Sequence, residues 1–311
     1  MSTLNGAVVL VTGANGGLGT HFVHQALERG AVKVYAAARN PRGWEDDRIT
    51  PLTLDVTSPE SVADAADIAR DVNVVINNAG ASNGSSVLGD LSTARELFET
   101  NFWGALEVTN AFAPALRSSG GTLLNVLSVL SWLGIGDAYS ATKAALWQAT
   151  NTQRIRLAAD GVHVAGLHLG YADTPMTRGV EAPKLDPADV VRSAYDGIEA
   201  GSYEILADEL SRQVKAGLAA PVEALYPQLA RSDACAGNAP TPGRIPRSSW
   251  MPPPAWQGWT SSTGSAVESC PSSLPARRPT SCPSPSVTAG RSSRCSPRSG
   301  TTTRSAPSTA G

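Results

Sequence analysis

Cysteine is missing from the first 231 residues of this 311-residue chain; all four cysteines (Cys235, Cys270, Cys282, Cys295) lie beyond them. Their spacing contains no paired C-x-x-C, and the first 231 residues offer no thiolate, so neither a disulfide framework nor a zinc site is expected. No apolar run reaches the ~18 residues of a membrane span, which excludes a membrane helix. The start, Met1–Gly6, lacks a basic stretch and a cleavage pattern before the first strand-like run. A cytoplasmic protein is expected.

Residues 232–311 lack other things: lysine, phenylalanine and tyrosine are absent, with one Ile, one Leu and two Val against 13 Pro, 18 Ser and 9 Thr. Such a segment cannot bury enough apolar surface to offset its ordering entropy and is predicted to be disordered. Charge divides at the same place. Residues 1–231 carry 17 basic and 25 acidic side chains, net −8, whereas 232–311 carry eight Arg against Asp233 and Glu268, net +6. The composition of 232–311 is also what a high-GC reading frame yields out of register, so the segment is read as a frameshift product, with a genuine low-complexity tail as the alternative. A damaged, unstable chain that keeps its motifs is a further reading. An acidic domain argues against nucleic-acid partners.

Within 1–231, short β-rich runs alternate with helical patterns, the signature of βαβ units on one parallel sheet. Strands are predicted at 7–11, 32–37, 53–56, 72–76, 122–127, 162–169 and 203–206. Helices are predicted at 18–28, 59–70, 92–117, 138–159, 187–200 and 209–229, the last interrupted near Pro221. The fold class is therefore α/β, a single doubly wound Rossmann-type sheet of about seven strands with helices on both faces.

The first strand runs into Thr12-Gly13-Ala14-Asn15-Gly16-Gly17-Leu18-Gly19 and then a helix. Glycines there let backbone approach a pyrophosphate, and the helix N-terminus adds N–H donors and a favourable dipole. Gly13, Asn15, Gly16, Gly17, Leu18 and Gly19 are thus candidate dinucleotide-binding residues. The second predicted strand leads to Ala36-Ala37-Ala38-Arg39, with no carboxylate for a ribose 2′-hydroxyl and an arginine suited to a 2′-phosphate. NADP(H) is favoured over NAD(H).

Four further stretches join that turn: Asn77-Asn78-Ala79-Gly80, Asn101 within a helical run, Ser128 after a strand, and Tyr139-Ser140-Ala141-Thr142-Lys143 opening a helix. Together they resemble the short-chain dehydrogenase/reductase family over about residues 5–210. A helix stacks Tyr139 and Lys143, four apart, on one face, and a neighbouring ammonium, helped by the positive nicotinamide, is expected to lower the phenol's pKa. The resemblance implies Tyr139 as general acid in reduction and general base in oxidation. Ser128 would hydrogen-bond the substrate oxygen, Lys143 would also hold the nicotinamide ribose, and Asn101 would anchor a proton-relaying water. It also implies Asp55 and Val56 at the adenine, Asn78, Ala79 and Gly80 at the adenosine ribose, and Thr174 at the carboxamide.

Two departures stand out. Leu169-Gly170 replaces the family's Pro-Gly, which predicts a looser turn after the sixth strand. The Ser128–Tyr139 interval is 11 residues where the family more often has about 13, so the loop between them must be tighter. Trp132, in that loop, is the aromatic residue expected to touch substrate. His163 and His168, five apart on one predicted strand, are placed on opposite faces, and no metal site is expected. The implied activity is hydride transfer between NADP(H) and a small carbonyl or alcohol substrate, in a homodimer or homotetramer. The competing reading is a non-catalytic NADP-binding Rossmann-type regulator or sensor.

Overall fold

The computed structural model describes residues 4–229. The boundary at 231, the segment 232–311 with its cysteines, and its disorder and frameshift readings lie outside the described residues.

Seven strands form one sheet in the order β3-β2-β1-β4-β5-β6-β7. They are β1 Val8–Thr12, β2 Lys33–Ala38, β3 Ile49–Thr53, β4 Val74–Asn77, β5 Thr122–Val126, β6 His163–His168 and β7 Glu204–Leu206. Every neighbouring pair is parallel. Helices α1 Leu18–Glu28, α2 Pro59–Ile68, α3 Ser92–Phe98, α4 Gly104–Ser119, α5 Ala138–Leu157, α6 Pro187–Glu199, α7 Glu209–Gly217 and α8 Val222–Leu225 complete the domain.

Side-chain alternation along β1 explains the two-faced core. Val9 and Val11 join Phe22, Val191, Tyr195 and Ile198 beneath α1 and α6. Leu10 points the other way, to Val62, Val108, Phe112 and Leu116 beneath α2 and α4. Tyr195 is fully buried, so its hydroxyl needs a partner, and it donates to the Phe22 carbonyl at 2.8 Å.

Three elements differ from the sequence expectation. The third strand is Ile49–Thr53 rather than 53–56. It contains Pro51, which cannot donate to a ladder, but β3 is an edge strand bonded only to β2, a setting that tolerates proline. The helix expected at 92–117 is two helices joined by a π-helical turn, Glu99–Trp103, with Asn101 at its centre. Gly104 then begins α4 against Val56, where a Cβ would lie 2.8 Å from the Val56 Cγ2. The last helical run breaks into α7, then α8 directly after Pro221, then a 3₁₀ turn, Pro227–Leu229.

Candidate active site

The carboxyl ends of β1, β4, β5 and β6 open onto one cavity of about 750 Å³. This is where an open parallel sheet of this kind accommodates ligands. Gly13, Gly16, Gly17, Leu18, Arg39, Asn78, Ala79, Gly80, Ser128, Tyr139, Lys143 and Thr174 all line it. Asn15, Gly19, Asp55, Val56 and Asn101 do not.

The glycine turn is shaped by two positions. Gly17 precedes α1 at φ 55°, a conformation L side chains rarely adopt, and a Cβ there would lie 3.5 Å from the Thr174 side chain. Gly19 is closed on itself: a Cβ there would be driven into the Gly13 carbonyl, with the Ala14 Cα only 2.9 Å away. Gly19→Ala is therefore expected to cost ~1–3 kcal/mol of stability and to lower Tm by roughly 2–10 °C. An unchanged calorimetric Tm would show that the turn relaxes freely.

Thr12 joins this turn to the end of β4. Its hydroxyl accepts from the backbone N–H groups of Asn78 and Ala79, both at 3.0 Å, while the Asn78 amide donates to the carbonyls of Thr12 and Gly13. Asn15, exposed within the turn, ties it to the loop after β2, donating to the Asn40 carbonyl at 2.7 Å. Asp55 is turned toward Thr57, whose backbone N–H and hydroxyl hold its carboxyl below the ordinary value, with a smaller contribution from Arg39.

Ser128 follows β5 in extended conformation, two residues past Val126, and its hydroxyl accepts from the Leu130 N–H at 3.1 Å. The same hydroxyl favours the phenolate form of Tyr139. Burial outweighs that and pushes the phenol up to about 12. The sequence expectation that Lys143 depresses this pKa does not hold among the protein's own groups. The ammonium is turned to the Val126 carbonyl, 2.8 Å away, and sits 5.8 Å from the centre of the Tyr139 ring. Burial in turn pulls Lys143 down to about 8.

Asn101 is buried beside the cavity. Its side chain accepts from the Ala81 N–H at 2.7 Å and donates to the Ala81 carbonyl at 2.9 Å and the Thr142 hydroxyl at 3.2 Å. A π-helical turn aims it there, a distortion often found at functional sites.

Sequence reasoning missed two supports. Asp208 caps α7 and also accepts from the Gly170 N–H at 2.6 Å, holding the turn after β6 despite the absence of proline. His168 is fully buried behind Ser128, its Nδ1 facing the Ser128 carbonyl at 3.2 Å. A carbonyl can only accept, so that nitrogen carries the proton, and burial lowers the ring's pKa to about 4. Trp132 is spent on this support. Its ring stacks on His168 at 3.9 Å and does not line the 750 Å³ cavity. Among the described residues no cluster of three or more His, Cys, Asp or Glu could hold a metal ion, and no helix is long and apolar enough to cross a membrane.

A dinucleotide-type turn and a Ser–Tyr–Lys constellation facing one cavity define a nicotinamide-dependent oxidoreductase. Comparison with known proteins agrees. The family model described as short chain dehydrogenase matches residues 7–184. A short-chain dehydrogenase/reductase of Pestalotiopsis microspora is 32% identical over 200 residues, 62% of this chain and 70% of that protein. The 11-beta-hydroxysteroid dehydrogenase 1A of Arabidopsis thaliana is 31% identical over 196 residues, 57% of this chain and 55% of that protein. A short-chain dehydrogenase of Burkholderia cenocepacia, solved in complex with NADP, superposes with a TM-score of 0.69 at 37% identity, covering 74% of this chain and all of that one. The chain belongs to the short-chain dehydrogenase/reductase family and is an oxidoreductase, not the non-catalytic regulator of the competing reading.

Proposed function

We propose that this chain is an NADP(H)-dependent reductase of small carbonyl compounds, running the reverse oxidation of the alcohol where substrate supply favours it. The observation that carries this reading is the convergence of Ser128, Tyr139 and Lys143 with the glycine turn and Arg39 on one cavity. The cradle fits a dinucleotide. A Cβ on Gly13 would come within 3.1 Å of the Ala79 backbone, so any side chain there would narrow the floor.

The bound cofactor supplies the hydride. Ser128 donates to the substrate carbonyl oxygen, and Tyr139, a phenol at neutral pH, delivers the proton to that oxygen as charge develops on it. Lys143 holds the nicotinamide ribose and keeps a positive charge near the phenol. Asn101 fixes the Ala81 backbone and anchors the water through which the proton is replaced. Asn78, Ala79 and Gly80 border the adenosine ribose, Asp55 and Val56 the adenine edge, and Thr174 the carboxamide.

Arg39 favours NADP(H), because a guanidinium matches a 2′-phosphate. A solved neighbour from Burkholderia phymatum, 20% identical, is in complex with NAD, so the preference rests on Arg39 itself. Arg39→Ala is expected to lower the NADPH-over-NADH preference in kcat/KM by ~10–100-fold, in line with loss of a charge-assisted bond of ~1.5–3 kcal/mol. A preference that survives the substitution would remove Arg39 from the account. The whole reading is tested by NADPH consumption over aldehydes, ketones and quinones; tight NADPH binding without turnover of any would overturn it. A cytoplasmic homodimer or homotetramer completes the proposal. Trp103 and Ile155, 49% and 77% exposed, offer apolar surface for pairing the segments that carry Asn101 and Tyr139.

A further inference from the structure

The shortened Ser128–Tyr139 loop closes through two 3₁₀ turns, Val129–Ser131 and Gly134–Gly136, and then Asp137. Asp137 stands two residues before Tyr139, at φ 53° and ψ −129°, and is the one non-glycine residue with positive φ among the described residues. An aspartate at a helix start ordinarily accepts a bond from the first turn. Here it makes no such bond to α5. Its carboxylate instead reaches across to the loop between β4 and α3 and accepts from the Val87 N–H at 2.6 Å. The next residue repeats the link, the Ala138 N–H donating to the Ser85 carbonyl at 3.3 Å. A strained backbone that forgoes its local partner to hold a distant loop points to a positional requirement.

That loop borders the site at two places. Ser82 lines the catalytic cavity. Val87 and Leu88, 52% and 83% exposed, line a neighbouring groove of about 540 Å³ with Trp132, Leu133, Ile135 and Asp137. Leu130 lines both spaces.

We propose that Asp137 is a positioning residue, its carboxylate latching the β4–α3 loop to the start of α5 so that the wall of the substrate site is held in register with Tyr139. This rests on the carbonyl-reductase reading. The latch acts on the loop rather than on the reacting atoms, so its loss falls on KM for the carbonyl substrate and leaves kcat and NADPH affinity largely in place.

Three substitutions in the full chain separate the latch from stability. Asp137→Gly removes the carboxylate and relieves the strain, Asp137→Ala removes the carboxylate and keeps the strain, and Asp137→Asn keeps both the strain and a carbonyl acceptor of nearly the same size. Hydrogen exchange at the Val87 amide is expected to speed up at least ~10-fold in the Gly and Ala variants and to stay near wild type in Asn. With 4-nitrobenzaldehyde as probe, KM should rise about fivefold or more in Gly and Ala and return to within about twofold in Asn. Asp137→Gly should nevertheless melt at least ~2 °C above Asp137→Ala. Unchanged Val87 exchange in Asp137→Gly overturns the latch whether or not any carbonyl is turned over. Faster exchange with wild-type KM, or KM following Tm across the three variants, overturns the positioning role. A wild type that reduces no carbonyl fails the underlying reading, while the exchange result still decides the latch.

Discussion

Tyr139→Phe is expected to lower kcat for carbonyl reduction by ~10²–10⁴-fold, the usual contribution of a positioned general acid. The change removes one oxygen from a ring that otherwise stays packed against Ala94, Leu97 and Ala138, so Tm and NADPH affinity should stay close to wild type. The pKa raised to about 12 fixes the direction in which the residue is ready. At neutral pH it is a protonated donor, as reduction requires, while oxidation first demands a phenolate. Reduction by the wild type should therefore show no loss from Tyr139 titration below about pH 10. A Phe variant with undiminished kcat would place the proton source elsewhere.

Lys143→Met should be nearly as severe in kcat/KM, at ~10²–10³-fold at pH 7, and it carries a pH signature. Burial lowers Lys143 to about 8 from an ordinary 10.5, so kcat/KM for NADPH in the wild type should fall above about pH 8 as the ammonium is lost. That limb should vanish in the Met variant. Stability moves with the opposite sign. Below pH 8 both folded and unfolded chains hold the proton, and the fold bears the full cost of a buried ammonium, on the order of 3 kcal/mol. Between pH 8 and 10.5 the unfolded chain holds more protons, so wild-type stability rises; above 10.5 the cost is gone. Lys143→Met should thus be more stable than wild type at pH 7, with the gap narrowing toward pH 10 in denaturant titrations. A gap independent of pH would contradict the displaced Lys143 pKa.

Much of this was legible in the sequence because its signals are local. Val8–Thr12 followed by glycines and then Leu18–Glu28 is a strand, turn and helix within some twenty residues, and Tyr139 and Lys143 are one helical turn apart. What stayed hidden depends on distant partners or on geometry without a periodic trace. The π-helical turn at Asn101 continues an apolar pattern that reads as one helix. Asp208 reaches Gly170 across 38 positions, so the missing proline alone gave the wrong expectation for that turn. Trp132 stands beside the site in sequence, yet its ring, stacked on His168 and edge-on to Trp147, borders the neighbouring 540 Å³ groove and not the catalytic cavity. The rise in the Tyr139 pKa comes from burial, which spacing along a helix does not report.

If the Ser128–Tyr139–Lys143 cavity directs hydride from a nicotinamide to a carbonyl carbon, the label on that hydride must reach the product. The direct measurement is isotope transfer: wild type and Tyr139→Phe are incubated with NADPH carrying deuterium at either face of nicotinamide C4, using 4-nitrobenzaldehyde and a ketone set as acceptors. Wild type should yield alcohol with one deuterium on the carbinol carbon, from one face only, and the variant almost none. NADPH oxidised without deuterium in any alcohol, or equal transfer by the Phe variant, would contradict it.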